Sequence, residues 1–464
     1  MGKTEKVGIL ERIGDIFTRF ALRFIPDAFI YALLLTFITI ILALILTPRG
    51  IHELISAWGE RFWGILRFSM ESSYGLITCT IIAFSPAFRR MLRKVAELPK
   101  THFQAQLLNV AVATALMNFH WGMLTAAGIF CRELAIACYR KGLRVHYPLL
   151  VAGAYAGLLP WHLGLSGASQ LLCATKGHFL EKEIGIIPTS QTLFHPYSYI
   201  PLILLSIVTI VTIIYMTPKS PERIIAIPAE VLERSLGAEE APKPSQLPKL
   251  KRLSARADEV LSILIGLVIL FAIFYDIFAR GRGWDLHAFI VTLFGLGLIF
   301  HRSLKGFARG IQESLRAASQ IFLQFQFYGG IMGLMVFSGL ASVIAWAFAS
   351  ISTRYTWPLF NWIQASIINI FVPSGGGQWT ATAHIMVEAS KIIGTPIAPT
   401  TITTFAMGDM WTNMIQPFWA LPILGIAGLS IRDIMGYCAV VLITTGIVIA
   451  LWILIAPFLI PGVI

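Results

Sequence analysis

Apolar runs of about 20 residues recur along the whole 464-residue chain, and several are broken midway by glycine, proline and short polar side chains. A run of that length matches the hydrocarbon thickness of a bilayer. Inside hydrocarbon every backbone N–H and C=O must find a partner, so only closed helices cross unaided, and each break must be completed by protein, water or ligand. Of all residues, 56% are hydrophobic and 13% charged, and the mean hydropathy is +0.74. These values point to an all-α polytopic membrane protein.

We expect crossings near residues 28–47, 62–86, 146–172, 198–217, 259–278, 284–300, 320–349, 397–424 and 432–457. Two further apolar stretches, 102–138 and 357–392, are interrupted and return to the side they came from, as re-entrant hairpins or pairs of short helices. With the N-terminus cytoplasmic, 27 of the 36 Lys and Arg fall on the inner side, with Arg89, Arg90, Arg93 and Lys94 in one short loop. The basic residues thus orient helices, and the net charge of +12 does not imply a nucleic-acid partner. Cys79, Cys131, Cys138, Cys173 and Cys438 form no close pair and suggest neither disulfides nor a metal site. Residues 1–27 show no cleavage signal, and Ile9, Ile13, Phe17, Phe20 and Phe24 recur at helical spacing, as in an amphipathic segment lying on the membrane surface. The proline-rich stretch 218–258 reads as a cytoplasmic linker.

That linker separates a first repeat, 28–217, from a connecting helix in 259–283 and a second repeat, 284–464. Tyr74 and Gly75 correspond to Tyr328 and Gly329, Asn118–Gly122 to Pro373–Gly377, and Ser166–Ser169 to Asp409–Asn413. Each repeat has four crossings, so the single connecting helix would invert the second relative to the first. Inverted repeats with interrupted helices are an architecture of secondary transporters.

Four interruptions carry the functional reading: NFHWG at Asn118–Gly122, GLSGAS at Gly164–Ser169, PSGGGQW at Pro373–Trp379, and GDMWTNMIQP at Gly408–Pro417. A half-helix start offers free N–H groups and positive partial charge to a carboxylate, and a half-helix end offers carbonyls to a cation. Gly375, Gly376 and Gly377 let a ligand approach the backbone, and Ser374, Thr412 and Asn413 add short polar groups. Glycines in membrane helices also serve close packing; four polar breaks at paired positions favour a cavity. Asp409 is a candidate coupling-ion ligand or proton carrier, with a helix cap as its structural alternative. His120 is a candidate relay or a hydrogen-bonded structural histidine. Glu71 is expected to pair with Arg67 one turn earlier. Asp276, Arg280 and Arg282 read as interfacial, while Trp379 and Trp411 flank breaks and could wall an acyl chain. Metalloprotease, hydrolase, P-loop and EF-hand motifs do not occur, so nothing points to an enzyme.

The runs FVPSGGGQW (371–379) and GDMWTNMIQPFWALPILGIAGLSIRDIMGY (408–437) closely resemble the short-chain fatty acid transporters. These are the acetoacetate and butyrate carriers of the bacterial inner membrane, grouped with a wider superfamily of inverted-repeat carboxylate carriers. The resemblance implies that Ser374–Gln378 and Asp409–Asn413 form half of a substrate and coupling-ion site. Asn118, Trp121, Gly122, Ser166, Gly167 and Ser169 resemble the partner motifs, although Phe119 and His120 separate Asn118 from Trp121 where the family tends to have Asn and Trp adjacent. The expectation is inward transport of a short-chain monocarboxylate by Na⁺ or H⁺ symport, with coupling-ion candidates Asp409, Asn413, Asn118 and His120, and Na⁺ candidates Asp409, Thr412 and Asn413. No other cofactor is implied; lipid surrounds the chain, and a homodimer is left open. Alternatives are a dicarboxylate or Na⁺/H⁺ carrier of the same superfamily, or a passive anion channel.

Overall fold

The computed structural model describes residues 28–236 and 249–464, and every regular element among them is helical. The surface segment expected over residues 1–27 and the middle of the linker lie outside the described residues. The first half comprises α1 (Ala28–Leu46), α2 (Ile51–Phe62), α3 (Leu66–Phe84), α4 (Pro86–Ala96) and a hairpin of α5 (His102–Phe119) and α6 (Leu124–Arg140). An interrupted span follows, made of α7 (Tyr147–Ala156), a 3₁₀ turn at Leu159–Leu163 and α8 (Ala168–Ala174); then come a short α9 (Glu181–Ile184) and α10 (Pro196–Tyr215). A short α11 (Ala229–Leu236) and the long α12 (Lys249–Ala279) lead to the second half. There α13 (Leu286–His301), α14 (Leu304–Ser338) and α15 (Leu340–Ser350) precede a hairpin of α16 (Trp357–Phe371) and α17 (Gly375–Ile393). The second interrupted span joins a π-helical turn at Ala398–Thr403, α18 (Thr404–Thr412), a 3₁₀ turn at Asn413–Ile415 and α19 (Pro417–Ala427), and α20 (Ile431–Leu459) closes the chain.

Among the described residues, six helices are long and apolar enough to cross a bilayer, and α13 with the start of α14 makes a seventh candidate across a bend of 120°. The other expected crossings are shorter, interrupted or richer in polar side chains, as in α3, whose Ser69, Ser73, Thr78 and Thr80 are buried within the protein.

Both halves hold their interrupted span by the same device. In the first, Gln106 and Asn109 on α5 donate side-chain N–H bonds to the carbonyls of His146 (3.1 Å) and Leu150 (2.7 Å). In the second, Asn361 on α16 donates to the carbonyls of Thr400 (3.0 Å) and Thr401 (2.9 Å). Buried amides of this kind are costly unless paired, so they fix one helix register against the other. Glycine allows the same close approach twice. A Cβ on Gly157 would lie 2.7 Å from the Ala113 carbonyl carbon, and one on Gly408 would lie 2.6 Å from the Trp362 carbonyl oxygen.

Three boundaries differ from expectation. The crossing expected near 320–349 has no start of its own, because α14 runs unbroken from Leu304 to Ser338 and ends at Gly339 with φ 81°. No glycine or proline occurs between residues 311 and 328 to stop it, whereas Gly339 takes the left-handed conformation that ends helices. The last interruption starts later than Gly408: Gly408 and Asp409 lie inside regular helix, and the break spans Asn413–Gln416. Gly408 serves helix packing there. The long helix α12 is already formed at Lys249, ten residues before the expected crossing, and Ile225 of the linker docks onto the body through a bond from the Tyr147 N–H to its carbonyl at 2.8 Å.

Candidate functional site

Both hairpin tips and the first interrupted span converge on a cavity with about 1000 Å³ of empty space, its open mouth included. Its walls are mainly apolar, with the rings of Phe68, Trp121, Trp161, Phe289, Phe325 and Trp419 among them. Polar groups enter at few points: Ser72, His120, Ser166, Gln324 and Ser374.

The second tip supplies the backbone. Ser374 caps α17, its Oγ accepting from the Gly377 N–H at 3.2 Å and its carbonyl from the Gln378 N–H at 2.7 Å. The first two N–H groups, of Gly375 and Gly376, then have no preceding helical carbonyl to meet, and both residues line the cavity. Such a terminus attracts an anion by roughly 0.3–1 kcal/mol when exposed and up to ~2 kcal/mol when partly buried.

The first tip is organised by His120, whose Nδ1 accepts from the Gly122 N–H at 2.9 Å and whose ring stacks on Trp121 and Phe289 with centroids 5.4 and 5.5 Å away. Ser166 Oγ accepts from the Trp121 N–H at 3.4 Å, so the first interrupted span touches this tip inside the cavity. Gly75 faces His120 of the first tip, and Tyr328 packs where a Cβ on Gly377 of the second would stand, 2.4 Å from its ring; their partners in the pairing do not repeat this, since Tyr74 is exposed and Gly329 lies against Arg61 and Ile65.

Of the expected site residues, His120, Trp121, Ser166, Ser374, Gly375 and Gly376 line this cavity. The others do not, and most have structural partners. Asn118 accepts through its carbonyl from the Leu165 N–H at 2.8 Å and lines a separate cavity with Gly164 and Tyr199. Gly122 sits under the His120 ring and Gly167 against the His162 carbonyl. Gln378 donates to the Ala365 carbonyl at 2.7 Å. Trp379 is buried against Phe405, and Trp411 donates to the Leu442 carbonyl at 2.7 Å while packing on Trp362. Glu71 pairs with Arg67 at 2.8 Å, as expected, and also with His287 at 2.7 Å.

One ionisable residue escaped the sequence reading. His162 lies in the 3₁₀ turn of the first interrupted span, and its Nδ1 is 2.7 Å from Asp409 Oδ2 on α18, with both side chains fully buried. Its ring stacks on Trp161 with centroids 4.3 Å apart. A Cβ on Gly375 would lie 2.6 Å from His162 Cε1. The criterion applied to Asp409, an ionisable side chain inside an apolar run, also singles out His162, two residues after Pro160. The remaining cation candidates are tied together by Asn369, whose Nδ2 lies 2.6 Å from the Asp409 carbonyl, 3.0 Å from Thr412 Oγ1 and 2.8 Å from Asn413 Oδ1. Ser169 belongs to the pair as well, through its N–H 3.3 Å from His162 Nε2.

Hairpins and interrupted spans meeting at one cavity define a multi-pass membrane transporter, and solved structures share the fold. The YdaH transporter of Alcanivorax borkumensis matches over 97% of this chain and 100% of its own, with a TM-score of 0.58 at 13% identity. MtrF of Neisseria gonorrhoeae, described with a class of antimetabolite efflux pumps, matches over 96% and 97% with a TM-score of 0.54 at 14% identity. Residues 9–456 match the short chain fatty acid transporter family, and the chain belongs to that family. Two relatives provisionally named short-chain fatty acid transporters agree. That of Escherichia coli K12 is 34% identical over 446 residues, 95% of this chain and 98% of the relative. That of Haemophilus influenzae Rd is 32% identical over 449 residues, 94% and 98%.

Proposed function

We propose that this family member is a secondary carrier that brings short-chain monocarboxylates, of the acetoacetate and butyrate class, into the cytoplasm together with a cation. The observation that carries the reading is the start of α17 opening into an apolar, ring-lined cavity. The Gly375 and Gly376 N–H groups, with Ser374 and Ser166 nearby, suit a single carboxylate, and the rings around them suit a chain of a few carbons. Among the described residues no Lys or Arg lines the cavity, which fits one negative charge better than two.

The two halves act as inverted repeats in this proposal, and access alternates as the hairpins move against the remaining helices. The chain sits in the inner membrane with its N-terminus in the cytoplasm, following the distribution of Lys and Arg. The test is uptake of labelled acetoacetate by proteoliposomes, with protein-free liposomes subtracted to remove passive passage of the neutral acid. Saturable uphill accumulation under an inward Na⁺ or H⁺ gradient, with counterflow, is the expected result. Downhill, non-saturating flux would mark a channel, and no protein-dependent flux would remove this substrate class.

A further inference from the structure

We infer that His162 and Asp409 form the coupling-cation site and that the cation is a proton. The inference rests on the cation-symport reading above. The two residues come from different interrupted spans and meet at 2.7 Å with neither side chain exposed. Relative movement of those spans therefore makes or breaks the pair.

The hydrogen bonds around the pair set its charge. The Ser169 N–H points at His162 Nε2 from 3.3 Å, which leaves the ring proton on Nδ1, directed at Asp409 Oδ2. Asp409 Oδ1 is buried with no hydrogen-bond partner among the described residues. A neutral imidazole beside a carboxylate carries one negative charge, and an uncompensated buried charge is strongly unfavourable. The elements packed around the pair supply no counter-charge. No side chain on α16 titrates, and those of α17, His384, Glu388 and Lys391, begin nine residues after Gly375. On α7, α8 and α10, Tyr155 donates to the Asn413 carbonyl, Cys173 meets Trp379, and Tyr197 shares a bond with Thr404 Oγ1 at 3.1 Å. On α5 the titrating group is His102, at the far end of the helix from the tip, and on α20 Cys438 is the buried one. His120 stands at the other tip with its Nδ1 already accepting.

One proton on Asp409 Oδ1, the atom left without a bond, makes the pair neutral. Na⁺ fits less well. Thr412 Oγ1, Asn413 Oδ1 and the Asp409 carbonyl already surround the Asn369 amide nitrogen, so an N–H donor stands where their shared cation would be.

The pair is also one layer from the cavity. Trp161, which stacks on His162, and Gly375, which touches it, both line the cavity. A carboxylate at the start of α17 would stand beside the pair, where a bound proton offsets its charge, and by linkage proton and carboxylate each tighten the other's binding by the same factor. One proton and one monocarboxylate together cross as a neutral load.

The experiment is calorimetric titration of acetoacetate into the detergent-solubilised full chain in Na⁺-free buffers of different ionisation heat, which counts protons taken up per anion bound. The expected result, over a series of rising pH, is uptake that climbs toward one proton per anion in the wild type once the free pair has released its proton, and binding with its proton uptake lost in both Asp409→Asn and His162→Gln. Wild-type binding without proton uptake anywhere in the series, or binding that needs Na⁺, would overturn the inference and leave the carrier reading standing. So would full proton uptake by either variant. Failure of the wild type to bind acetoacetate or butyrate at all would instead sink the substrate assignment.

Discussion

Gly376→Ala tests whether the start of α17 faces substrate. The added Cβ would fall 2.8 Å from Phe68 Cζ and 3.0 Å from Phe68 Cε1. Non-bonded carbons settle at about 3.5–4.0 Å, so the ring must retreat by roughly 0.7–1 Å. Phe68 has room to do so. It stacks on Phe325 with centroids 5.9 Å apart, and its other side borders a smaller cavity beside Arg67, Glu71 and Lys176. Overpacking costs roughly 1–3 kcal/mol, and this mobility puts the folding penalty near ~1 kcal/mol. The binding penalty is larger, because the methyl and the displaced ring both alter the wall beside the Gly375 and Gly376 N–H groups. If 1–3 kcal/mol falls on the bound state, affinity drops about 5- to 150-fold at ~1.4 kcal/mol per decade. The assay is KM for labelled acetoacetate in proteoliposomes, with Tm measured on the same preparation. A KM equal to wild type in a folded variant would refute the argument and remove this tip from the site.

The other predictions separate packing from chemistry. Gly408→Ala places a methyl 2.6 Å from both Ala365 Cβ and the Trp362 carbonyl oxygen, where backbone cannot yield, so thermal unfolding should show a loss of about 1–3 kcal/mol; an unchanged Tm would mean that α16 and α18 are less closely packed than described. Trp411→Phe removes the bond to the Leu442 carbonyl and should cost about 1 kcal/mol of stability without changing KM. A raised KM would return Trp411 to the substrate wall. His146, in the loop ahead of α7, has its pKa pushed down to about 4 by burial and then by neighbouring His102. Its Nδ1 accepts from the Ile225 N–H at 3.0 Å, so the fold favours the neutral ring. That contribution to stability is fully present above pH 6.5 and is lost as pH falls from there toward 4. Hydrogen exchange should show residues 219–228 opening across that window in the wild type. His146→Gln should lose the pH dependence, and an acid response equal to wild type would exclude the histidine.

Much of the architecture was legible because in a bilayer apolar length and backbone satisfaction leave few options. The hairpin breaks fall at His120 and at residues 372–374, within the sequence NFHWG and ahead of the glycine run, and Pro160 does mark the first interrupted span. The glycines were harder to read. Gly375 and Gly376 border the cavity, whereas Gly408 gives helix contact, although all three interrupt apolar sequence in similar ways. The difference lies in what stands opposite, and that comes from another helix. Trp379 and Trp411 were misleading for the same reason: a tryptophan beside a break can face a cavity or a neighbour, and both face neighbours.

The sequence by itself determined an all-helical membrane chain, the order of its parts and its family, because each of these follows from local hydropathy, breaker residues and motif. Only the tertiary structure decided which breaks meet. His162 and Asp409 are 247 residues apart and belong to different spans, yet they share a hydrogen bond. Asn369, unremarkable within α16, collects three acceptors from the second interrupted span. Such long-range pairings are enforced where polar groups are withdrawn from water, since each then needs a partner wherever in the chain one can be found.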